Sequence, residues 1–210
     1  MTNPYESVQP SVLRWLRGNL KVTWIAIALV VIAGLVALEW PHQANLGQQQ
    51  ADLAAYAVQL RGDVQSCSSG VEQTLSAYNQ VTAGASTDRQ TAIAIAAQAA
   101  LDCTPMGNSR IEDVGALQPP RSLSNYHLDK YASQFYAWCF PNAVDLVQGL
   151  GHLLAKPGDP TLLAQAKLKL AQLNALAANA QGGFDLAALD LKAGFIHFGL
   201  DAVRPGVLVG

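Results

Sequence analysis

The residues of this chain that invite chemistry are three cysteines, four histidines and one Ser66-Cys67-Ser68-Ser69-Gly70 string. Zinc chemistry needs histidines on one helical face, as in H-E-x-x-H. His42, His127, His152 and His197 are scattered instead, so no metal site is expected. A nucleophile needs a strained turn such as G-x-S-x-G. The serine string sits inside an amphipathic pattern and reads as packing. Glu112-Asp113 reads as a solvated turn in a loop, not as a general acid and base. No phosphate loop, dinucleotide turn or haem-attachment motif occurs. The chain is therefore read as non-catalytic, without catalytic residues or cofactor. Its net charge of −2 and dispersed Lys and Arg exclude nucleic acid as a partner.

Cys67, Cys103 and Cys139 follow the only long apolar run, in a compartment that is oxidising for most cells. No two are close enough for a C-x-x-C motif. If a hairpin turns near Gly84-Ala85, Cys67 and Cys103 lie equally far from the turn and face each other on antiparallel helices. A Cys67–Cys103 disulfide is predicted, with Cys139 left over.

The elements that must carry these residues begin at the membrane. Residues 22–38 carry no charge, follow Arg14, Arg17 and Lys21, and end before Glu39. At helical rise the run covers roughly 26 Å, close to a hydrocarbon core of about 30 Å. Trp24 and Trp40 mark both interfaces as membrane anchors. The positive-inside rule puts the N-terminus in the cytoplasm and the remainder outside a plasma (inner) membrane. A cleaved signal would be shorter and end in a small-x-small site, which Ala37-Leu38-Glu39-Trp40-Pro41 does not offer. Residues 12–20 have the pattern of a short amphipathic helix on the inner leaflet. Ala33 and Ala37 form a small-xxx-small pair for a partner helix.

Three segments result: 1–21 cytoplasmic, 22–40 spanning and 41–210 extracytoplasmic. The third is long enough for one core. Its fold class is all-α, an antiparallel bundle of four or five helices. Leu46, Leu53, Leu60, Val64, Cys67, Val71 and Tyr78 share a stripe over 44–82. Thr87 with Gln90 resembles a capping box for a helix ending near Asp102. Proline and glycine make 103–121 a connection, with one short turn near Ile111. A third helix over 124–154 should break at Pro141. Asp159 and Pro160 start a fourth, carried to Gly182-Gly183. The tail after Phe184 is read as helix, with 195–198 as a rival strand.

Six aromatic residues crowd 126–140. Tyr131, Phe135, Trp138 and Phe140 are the candidate partner or ligand patch, against the alternative that the cluster fills the core. The whole reads as an accessory or scaffolding subunit of a cell-envelope complex with integral membrane protein partners. The rival is an extracytoplasmic module for a lipid or another apolar ligand.

Overall fold

Pro141 shows how local chemistry shapes this chain. It has no amide hydrogen, so a helix running through it leaves the Ala137 carbonyl without its i+4 donor. The side-chain amide of Asn142 donates to that carbonyl at 2.8 Å instead. Phe140 leaves helical geometry (φ −129°, ψ 121°) and a π-helical turn spans Trp138–Ala143. The expected single helix is thus two, joined at the predicted break.

The computed structural model describes residues 20–85, 87–200 and 208, with the side chains of 20–23, 26, 33 and 35–44 outside that description. Every regular element among the described residues is helical. The helices are α1 (Leu20–Thr82), α2 (Arg89–Asp102), α3 (Ser109–Ala116), α4 (Leu128–Ala137), α5 (Val144–Ala155) and α6 (Pro160–Asp190), with a 3-10 turn over Arg121–Tyr126. The chain divides into two compact units, Met1–Gly47 and Gln48–Gly210.

In the first unit the described side chains Trp24, Ile25, Ile27, Leu29, Val30, Val31 and Ile32 are all exposed. Among the described residues no helix is long and apolar enough to cross a membrane. Several expectations fall outside the described residues: those on Arg14, Arg17, the 12–20 pattern, and the side chains of Lys21, Ala33, Ala37 and Trp40.

The second unit is an up-down-up-down bundle. α1 turns at Gly84, where φ of +71° suits a residue without Cβ, and returns as α2. The disulfide Cys67–Cys103, with Cα atoms 4.6 Å apart, fixes the register. One turn further on, a Cβ on Gly70 would stand 3.0 Å from the Ala99 Cβ, so the helices touch almost backbone to backbone. The buried face of α2 is Ala92, Ala96, Ala99 and Ala100, small enough for α5 to pack closely on its other side.

α4 and α5 form the third leg and α6 the fourth. α6 runs antiparallel to both pieces, through Lys169–Asp145 at 2.8 Å and the aromatic pair Phe135–Phe184 at 6.0 Å. Its start follows the sequence: Asp159 accepts from the amides of Thr161 and Leu162, and Pro160 opens the helix.

Its end does not follow the sequence. α6 passes through Gly182-Gly183 to Asp190. A Cβ at Gly183 would overlap the Tyr131 ring, so this glycine admits a neighbour and does not stop the helix. The stop comes at Lys192, whose φ is 52°. The Ala193 amide bonds the Ala188 carbonyl at 2.8 Å and the Lys192 amide bonds the Leu189 carbonyl at 3.1 Å, the paired bonds of a left-handed helix end. A lysine there bears a Cβ penalty that glycine escapes. Lys192→Gly should therefore raise stability by about 1 kcal/mol, read as a higher urea midpoint at unchanged slope. An unchanged midpoint would count against strain at this position.

Three smaller expectations are also corrected. Helix α2 is capped by Asp88, whose carboxylate accepts from the Thr91 amide, and not by Thr87, whose hydroxyl bonds the Gln80 side chain. Glu112 and Asp113 lie on helix α3, capped by Asn108, and not in a loop. Beyond Lys192 the tail runs without regular structure to Phe198, neither helix nor strand.

Candidate functional site

The aromatic cluster divides between core and surface. Phe135 and Trp138 are buried at 0% and 1% exposure, Phe135 on the face of α4 that meets Phe184 of α6 and Trp138 at the start of the π-helical turn. Phe135 meets Phe198 at 4.5 Å and Phe184 meets Phe198 at 4.8 Å between ring centroids, while Tyr56 stacks on Phe184 at 6.0 Å. Tyr131 is half-buried on Gly183. Phe140 alone of the four is exposed, edge-on to Tyr136 at 6.2 Å. The four therefore do not form one surface patch. Between 126–140 and 184–198 the rings of Phe135, Phe184 and Phe198 interlock.

Of the serine string, Cys67 and Gly70 pack in the core, Ser68 and Ser69 are half-buried and Ser66 is exposed. Cys67 is in the disulfide, Ser66 accepts from Asn108 at 2.6 Å, and Gly70 is the close approach to α2. Cys139 is free and fully buried, and burial pushes its thiol well above the ordinary range. His127, His152 and His197 are exposed, and His42 lies outside the described side chains. Among the described residues no three His, Cys, Asp or Glu side chains gather as metal ligands.

A mainly apolar concavity lies elsewhere. At the end of the bundle where α1 turns into α2 and α5 turns into α6, the two turns stand apart and leave a cleft of about 570 Å³. Val81, Leu153, Leu154, Pro157, Pro160 and Leu163 supply aliphatic walls, with Tyr78, Thr82, Arg89, Gly158 and Asp159 completing them. Gly158 carries φ of +84°, which lets the chain turn sharply into the Asp159 cap. Burial raises the Tyr78 phenol above its usual pKa, which keeps it neutral and able to donate.

No family model, curated protein or solved structure matches this chain. Its function is therefore argued from its own geometry. Tyr78, Asp159 and Pro160 were legible as helix positions, but no cleft residue was singled out from sequence as a ligand contact. The available signal was indirect: Gly84 and Gly158-Asp159-Pro160 both mark turns, and alternating helices bring both to one end of a bundle.

Proposed function

We propose that this chain is a membrane-anchored, non-catalytic accessory or scaffolding subunit of a cell-envelope assembly, with its helical bundle outside the plasma membrane. The observation that carries this reading is the exposed surface of α1 over Trp24–Ile32. At 100° per residue, Ile25, Ile27, Leu29, Val30, Val31 and Ile32 point in every direction around the helix, and all are exposed. A helix apolar all round needs an apolar surrounding, and an uncharged run of this length suits lipid. The described side chains of the run stop at Gly34, short of a full span, and the remaining apolar positions are read from the sequence. The disulfide supports an oxidising compartment for the bundle.

The test is extraction and topology. The full chain should stay in the membrane pellet at alkaline pH. Protease added to spheroplasts should digest the bundle and spare an N-terminal tag. Purification in mild detergent should retain membrane partners at fixed stoichiometry. A mature chain beginning between Ala37 and Leu46, or release by alkali, would refute the anchor. Absence of partners would refute the accessory role alone.

A further inference from the structure

We infer that the cleft between the two turns binds a single-chain amphiphile with an anionic head, of the class of long-chain fatty acids. This site goes beyond the accessory role and does not depend on it. Its size is that of small-molecule sites, at about 570 Å³. The walls from Val81, Leu153, Leu154 and Leu163 are aliphatic, so they offer dispersion to a flexible chain and no stacking surface to a planar ligand.

The polar groups set the head. Tyr78 is buried at 5% exposure, lines the cleft, and its hydroxyl has no hydrogen-bond partner among the described residues. The hydroxyl opens onto the cleft, where a ligand oxygen can accept its hydrogen bond in place of water. The charges decide between an anion and a cation. Asp159 also lines the cleft; its Oδ1 is held at the start of α6 by the amides of Thr161 and Leu162, and its charge remains. Asp88, whose carboxylate accepts from the Thr91 amide, is not among the lining residues. Arg89 has no ion pair or hydrogen bond among the described residues, so its guanidinium is the charge free to receive a ligand, and it offers donors only. A carboxylate brings to Arg89 a charge that an alcohol lacks and also accepts from Tyr78, whereas an amine is repelled by Arg89.

The experiment uses the full chain in nanodiscs of neutral phosphatidylcholine, photolysed with a diazirine analogue of palmitic acid. Label should map to 78–89 and 153–163. Palmitate should compete about fivefold better than hexadecanol, the advantage a rim ion pair supplies, and Arg89→Gln should erase that preference while label remains. Leu163→Trp, which fills the cleft, should abolish cleft label with the circular-dichroism spectrum unchanged. If that variant misfolds, Arg89→Gln decides, because Arg89 is exposed and holds no contact in the fold. Label confined to 22–38 would reveal mere partitioning into bilayer and overturn the site. Equal competition by acid and alcohol in the wild-type chain, or cleft label that survives in folded Leu163→Trp, would do the same.

Discussion

Trp138→Ala should destabilise the bundle by about 3–5 kcal/mol, the usual cost of deleting a large buried aromatic. Trp138 is 1% exposed and sits where the chain breaks at Pro141, so neither neighbouring helix can collapse into the void without losing the Asn142 bond to Ala137. For a chain of this size the melting temperature should fall on the order of 10 °C. Trp138→Phe should cost far less. The indole nitrogen is buried without a partner, as is the side-chain oxygen of Gln134 one turn earlier. Phe keeps most of the ring and removes a donor that already goes unpaid. The measurement is a thermal melt of the detergent-solubilised full chain. A loss under about 1 kcal/mol for the alanine variant, together with weaker partner retention, would return Trp138 to the role of a docking residue.

Replacing Cys67 and Cys103 together by alanine should cost about 4 kcal/mol in the chain-entropy description for their separation of 36 residues. The wild-type melt should fall by a similar amount in strong reductant, and the double variant should ignore reductant. Cys139 should resist alkylation until the bundle unfolds, because it is fully buried and burial disfavours its thiolate. Peptide mapping without reductant should show Cys67 joined to Cys103. A link from Cys139 to either one, or rapid alkylation of Cys139 in the folded chain, would be incompatible with this core.

How far the sequence could be read depended on the range of the forces involved. Pro141, Asp159 and Pro160 act within one helical turn, and their effects stand where the residues stand. The hairpin was legible because helical periodicity and equal spacing about Gly84 bring Cys67 opposite Cys103. Gly183 was misread because its tolerance inside α6 depends on the Tyr131 ring of another helix. Asp88 and Thr87 are both competent caps, and only the backbone path settles which one reaches the Thr91 amide. The aromatic enrichment around Phe135 and Trp138 is plain in the sequence, but which of its side chains turn inward is a property of packing. Tyr78 was legible only as part of the α1 stripe and Arg89 not at all, since they line one cleft with Leu153 and Leu163 only once four helix ends converge.

The position of the disulfide along the chain also orders events during synthesis. Cys67 and Cys103 both precede Cys139, and the hairpin they close needs nothing made later. At about 5–20 residues per second, the third thiol emerges several seconds after the second, an interval in which disulfides can form. A wrong partner is thus absent while the first two thiols can pair, and α5 and α6, made after Cys139, then bury it in the core. A proofreading isomerase, which rescues proteins whose cysteines all appear before any can pair correctly, has little to correct here.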